Sequence, residues 1–144
     1  MVHLGIDFGT VNIGLAVSDE EGRFAIDLPI LKNKEKSVLN DLKQICIDKK
    51  VQVIVIGIPG LQRDNPITRQ IREFAEQLKS FTNLDIKYWD ESYTSIWAES
   101  GLRGKRRKQS DSKAARIILQ EYLDFTNSRQ WRTLQCSCSD LFYY

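Results

Sequence analysis

The chain has 144 residues, 42% of them hydrophobic and 28% charged, which supplies one packed core and argues against wholesale disorder. No apolar run approaches the roughly 18 residues of a membrane span, no basic-then-apolar leader opens the chain, and three irregularly spaced cysteines do not make a disulfide framework, so the cytosol is the expected compartment. Net charge is only +2, yet the window 101–116 holds seven basic residues against Asp111, a net +6, and leaves −4 for the rest, an electrostatic footprint for something anionic.

Residues 2–6 form a short apolar run that ends at Asp7. Runs at 12–18 and 24–28 follow brief turns, Gly9-Thr10 and Asp19-Glu20-Glu21-Gly22, and three strands so closely spaced predict a hairpin meander, with Pro29 closing the third. Val38, Leu39, Leu42, Ile45 and Cys46 have helical spacing behind Ser37 as N-cap. Residues 51–58 are nearly continuous and β-branched, the pattern of a strand buried on both faces. Asn65 caps a second helix with Pro66 in its first position and Ile67, Ile71, Phe74, Ala75 and Leu78 as its buried stripe. Leu84, Ile86 and Tyr88 then alternate with Asp85, Lys87 and Trp89 in a strand that ends at Asp90-Glu91.

From Tyr93 the pattern turns helical, and a basic loop at 103–109 precedes a last helix with Asp111, Ala114, Ala115, Ile118, Leu119 and Tyr122 inward. Strand–helix–strand–helix–strand implies parallel pairing through right-handed crossovers. With the meander in front, the expected fold class is α/β: a mixed five-stranded sheet, antiparallel meander then parallel strands, flanked by helices. His3, the one histidine, lies in the first strand, and Cys46 in a core stripe. Cys136-x-Cys138 has the wrong spacing for a common zinc pair.

The acidic residues carry the first chemical signal. Asp7 and Asp90-Glu91 end strands, Asp111 opens the final helix, and ligands gather at strand carboxyl ends in open α/β sheets. Carboxylates converging there repel one another unless a cation intervenes; a hard divalent ion with oxygen ligands, Mg²⁺ or Mn²⁺, suits such donors. Two ions can stabilise the attacking and leaving oxygens of a phosphodiester displacement. Taken singly, Asp111 is also an ordinary N-cap type and Asp90 and Glu91 ordinary turn residues. Asp7, between Ile6 and Phe8, is costly to bury without a partner.

The second signal is the run from Gly5 to Asp19, Gly-Ile-Asp-Phe-Gly-Thr-Val-Asn-Ile-Gly-Leu-Ala-Val-Ser-Asp, whose glycines permit close backbone approach and a tight hairpin. This stretch resembles the opening motif of the YqgF family, ribonuclease-H-like pre-ribosomal-RNA nucleases related to Holliday-junction resolvases. The resemblance continues in order to about Phe125, through Val55-Ile56-Gly57-Ile58-Pro59, Asp90-Glu91-Ser92-Tyr93-Thr94-Ser95 and Asp111-Ser112-Lys113-Ala114-Ala115. Asn12 and Ser92 stand where the family usually carries basic residues, and 60–66 departs in composition from its glycine-rich loop. These departures remove cations from the expected phosphate path and leave the acidic positions in place.

The resemblance implies a nuclease domain at 1–125 and an irregular extension at 126–144. Asp7, Glu91 and Asp111 would be catalytic and hold Mg²⁺ or Mn²⁺, expected as two ions, with Asp90 the alternative carboxylate.

 The basic loop, Arg103, Lys105, Arg106, Arg107 and Lys108, would neutralise phosphates, and Trp89, Tyr93 and Trp97 would either stack bases or pack in the core. The implied reaction is metal-dependent phosphodiester hydrolysis, at the 5′ end of precursor 16S rRNA, with branched DNA as the second substrate. Two other readings stand beside it: a non-catalytic nucleic-acid-binding module working through the basic loop, and an ATP-handling protein, since Asp-x-Gly-Thr also opens the phosphate loops of the actin and sugar-kinase superfamily. Leu134, Leu141, Phe142, Tyr143 and Tyr144 follow no helical or alternating period. They would either dock on an apolar groove of the same domain or mediate weak self-association, the second being the expectation while the domain is complete at Phe125.

Overall fold

The computed structural model describes residues 1–33, 37–60, 64–90 and 111–127, with 111–113 as backbone alone. Five strands, β1 (His3–Phe8), β2 (Asn12–Ser18), β3 (Ala25–Lys32), β4 (Val53–Ile58) and β5 (Asp85–Asp90), form one sheet in the order β3-β2-β1-β4-β5. β1 pairs antiparallel with β2 and parallel with β4; β2–β3 is antiparallel and β4–β5 parallel. The expected mixed sheet is therefore present, with helices on both faces. Residues 91–110, with Tyr93, Trp97 and the basic loop, and the tail beyond Asn127 with Cys136 and Cys138 lie outside the described residues.

Helices α1 (Val38–Asp48) and α2 (Pro66–Thr82) cover one face. Val38, Leu42 and Cys46 of α1 and Ile71, Phe74, Ala75 and Leu78 of α2 close over Leu4, Ile6, Ile13, Leu15, Ile54, Ile56 and Ile58. Asn65 caps α2 as expected: its side chain accepts from the Thr68 N–H at 2.9 Å while the Thr68 hydroxyl receives the Asn65 N–H at 3.1 Å. Ser37 stands at the N-cap of α1 but makes no side-chain capping bond. Helix α3 (Asp111–Asn127) covers the opposite face with Ala115, Ile118, Leu119 and Leu123 against Ala16, Val55 and Trp89. Trp89 is 6% exposed, so it belongs to the core rather than to a base-stacking surface.

Three boundaries differ from the sequence reading. β1 continues one residue past Asp7, to Phe8. β4 starts at Val53 because Val51 and Gln52 are used elsewhere, their N–H groups donating to the carbonyls of Cys46 and Val2. β3 does not close at Pro29 but runs on to Lys32. Leu15 pairs with Leu28 and Ile13 with Leu31, so three steps of β3 oppose two of β2 at this point. A bulge on an edge strand is a place where a proline, which lacks an N–H, fits a sheet.

One close contact sets the position of α3. A Cβ built on Gly5 would lie 2.7 Å from the Leu119 Cβ and 3.1 Å from the Ala115 carbonyl oxygen. Neither neighbour is the loose end of a side chain, so any larger residue must push α3 off the sheet. Gly5→Ala should destabilise the fold by about 1–3 kcal/mol, the usual cost of overpacking. Urea denaturation checks this, and an unchanged midpoint would show that α3 does not depend on the contact.

Candidate functional site

Asp7 lies at the carboxyl end of the central strand β1, half-buried. Its ladder partners are Gly14 on β2 and Gly57 on β4. Paired residues share a face of the sheet, so the carboxylate projects between two positions that carry no side chain. The sequence reading used Gly14 for hairpin geometry and missed this second role. The signal was the recurrence of glycine in the two strands that flank Asp7.

Asp7 shares its face with Gly5, and that face is the one covered by α3. Contacts along the helix show its direction: the Tyr122 ring meets that of His3 in a tilted contact at 5.7 Å, Gln120 accepts from the Ala25 N–H at 2.9 Å, and Arg116 pairs with Asp27 at 3.6 Å. Ala25 and Asp27 lie at the sheet levels of Ser18 and Ala16, and Ala16 at that of Gly5. Helix α3 thus runs antiparallel to β1. One helical turn before Ala115 and two strand residues after Gly5 are both displacements of about 6 Å. The backbone of Asp111 therefore comes level with Asp7 at the same end of the sheet.

Asp90 ends β5 level with Ile58, one step beyond the Asp7–Gly57 level. Alternation puts it on the α1–α2 side, whereas Trp89 shares the α3 side with Asp7. Its Oδ1 accepts from the Gly60 N–H at 3.2 Å, tying the loop after β4 to the end of β5. Glu91 lies outside the described residues, as do the side chain of Asp111 and the basic residues Arg103, Lys105, Arg106, Arg107 and Lys108. Among the described residues, no three His, Cys, Asp or Glu side chains converge in a metal-binding group.

Two further residues shape this end of the sheet, and neither stood out in the sequence. Asn33, just past β3, donates from Nδ2 to the Gly9 carbonyl at 2.7 Å and from its backbone N–H to the Val11 carbonyl at 2.8 Å. One side chain and its backbone thereby hold both sides of the β1–β2 turn next to Asp7. Lys32 is exposed and lies directly across the ladder from Asn12. A cation thus stands beside the position where Asn12 carries none.

Comparison with known proteins places this arrangement. The sequence model of the RuvX family, described as Holliday junction resolvase, matches residues 1–125. A candidate pre-16S rRNA nuclease of Protochlamydia amoebophila is 38% identical over 137 residues, covering 84% of this chain and 91% of that protein. One of the same description from Clostridium kluyveri is 38% identical over 130 residues, covering 84% and 95%. Among solved structures, Thermus thermophilus RuvC in complex with a Holliday junction substrate superposes with a TM-score of 0.57 at 14% identity, over 86% of this chain and 94% of that one. A second Thermus thermophilus RuvC structure gives 0.52 at 13% identity, over 86% and 95%. The chain belongs to the RuvX family, and its fold is ribonuclease-H-like.

The Asp90–Gly60 bond generates a prediction that separates anchoring from ligation. Asp90→Asn keeps an oxygen acceptor for Gly60 and should leave stability nearly unchanged. Asp90→Ala removes it from a half-buried N–H and should cost about 1–3 kcal/mol. Chemical denaturation of the two variants measures the difference; equal losses would mean the bond does not hold the loop.

Proposed function

We propose that this protein is a divalent-metal-dependent nuclease that hydrolyses phosphodiester bonds in structured RNA, trimming the 5′ end of precursor 16S rRNA during ribosome biogenesis. The observation that carries the reading is the Asp7 carboxylate, set between Gly14 and Gly57 and level with the first residue of α3. Family membership supports the nuclease chemistry, and the description shared by the two bacterial relatives supports RNA as the substrate. The family's own description favours junction DNA as the second reading. Both point to nucleic acid rather than to ATP.

The donor set fits a hard cation. Asp7, Glu91 and Asp111, with Asp90 as the alternative to Glu91, offer only carboxylate oxygens, which suit Mg²⁺ or Mn²⁺. Strand alternation favours Glu91 over Asp90, because Asp90 lies on the face away from Asp7 and is engaged with Gly60. Bound there, a pair of such ions would supply charge neutralisation for the attacking and leaving oxygens of the displacement. The chain's own groups do the rest. Gly14 and Gly57 leave room beside Asp7 for a phosphodiester, and Asn33 fixes the turn that borders it. Lys32 and the basic run at 103–108 attract and hold the backbone phosphates. The catalytic domain is residues 1–125, and 126–144 are an extension to it.

Asp7→Asn should lower Mn²⁺-dependent cleavage of a precursor-rRNA fragment by at least ~10²-fold, with an unchanged thermal midpoint or a higher one, since one repelling carboxylate is gone. A variant that cleaves like the parent removes Asp7 from the site. Running junction DNA beside the RNA decides between substrates, and a parent that binds both but cleaves neither with Mn²⁺ is a binding module. Replacing Lys105, Arg106, Arg107 and Lys108 together with Ser should weaken binding to every sequence. It should also flatten the log–log salt slope by up to roughly 3.6 for a duplex ligand, if each contacts one phosphate. An unchanged slope would make the run a solvated loop.

A further inference from the structure

The sheet of described strands ends at β3, and this edge exposes much apolar surface: Phe24 is 66% exposed, Ile26 55% and Ile30 39%. Ile26 lies on the face of Leu28. The bulge returns Leu31 to that face and turns Ile30 to the other. Apolar side chains on both faces of an open edge are poorly served by a helix, which covers one face. An added strand covers both and takes up the edge's unpaired backbone groups.

The position of the end of α3 indicates which segment can supply that strand. Asn127 donates from Nδ2 to the Gly22 carbonyl at 2.9 Å, and Gln120 bonds the Arg23 carbonyl and the Ala25 N–H. The chain beyond Asn127 therefore starts at the head of β3. Seventeen residues follow, about 56 Å when extended, whereas the eight residues of β3 need about 26 Å. Within them Leu134, Cys136 and Cys138 alternate with Thr133, Gln135 and Ser137 once cysteine is counted as a small apolar residue. Leu141-Phe142-Tyr143-Tyr144 then supplies strand-favouring types. Arg129 and Arg132 come first in the segment, and the turn that α3 touches carries Asp19, Glu20 and Glu21.

We propose that residues 133–144 add to the open edge of β3 as a sixth strand and cover Phe24, Ile26 and Ile30. The occupant is the chain's own tail, because α3 delivers it to this edge at no cost in concentration.

The native cysteines of the tail provide the test. In the whole chain, Phe24→Cys, Ile26→Cys and Ile30→Cys are made singly, with Ile47→Cys on α1 as a control of similar exposure, 60%. Under oxidised glutathione, at least one edge variant should form a bridge to Cys136 or Cys138 within one chain, at ~tenfold or more the control yield, since a disulfide requires Cβ atoms about 4 Å apart. Cys46 does not compete: it is buried, and burial pushes its thiol up to about 11. Peptide mapping under non-reducing conditions reads the pairing, and circular dichroism confirms that each variant is folded. Control-level yields at all three edge positions overturn the proposal. So do bridges that join two chains, which would assign the edge to a second copy.

Discussion

The arrangement of the candidate site depends on how closely α3 can lie against β1. Gly5 permits that approach: with a Cβ only 2.7 Å from the Cβ of Leu119, no other residue fits without displacement. Lifting the helix would move Asp111 away from the level of Asp7 and uncover Ala16, Val55 and Trp89 together. Packing and chemistry are thus coupled through one missing side chain. That coupling also separates two roles for glycine. Gly5 brings a helix close, while Gly14 and Gly57 place no side chain in the ladder positions beside a carboxylate.

Helix α3 is attached to the sheet in two places. Its C-terminal half is held by side chains: Gln120 to Arg23 and Ala25 and Asn127 to Gly22, at the end of the sheet away from Asp7, and Glu121 receiving the Trp89 indole N–H at 3.3 Å. Tyr122 and Phe125 add edge contacts to the Trp89 ring. Trp89 pairs with Gly57, itself the ladder partner of Asp7, so this half of the helix is also tied to the Asp7 level of the sheet.

Much of this was legible in the sequence, for identifiable reasons. The β-branched run at 51–58 and the Asn65-Pro66 helix start are local signals whose physics does not wait for tertiary structure; the helix starts where expected, and the strand occupies the run from its third residue on. Pro29 misled because its local meaning, an interrupted strand, depends on whether the strand is central or at an edge, and edge position is a property of the whole sheet. The grouping of Asp7 with strand ends was readable from order alone. Its glycine neighbours were not, because strand register joins residues seven and fifty positions apart. Asn33 was invisible for the same reason: its partner, the Gly9 carbonyl, lies across two strands.

Alternation along β5 gives the last constraint on the acidic pair. Trp89 is fixed toward α3 by burial and by its ring contacts, which leaves Asp90 on the other side, bonded to Gly60. A carboxylate already accepting a backbone N–H that anchors a loop is poorly free to approach Asp7 across the sheet, since the move would break that bond. Among the described residues, the charge at Asp90 therefore serves to hold the loop between β4 and α2.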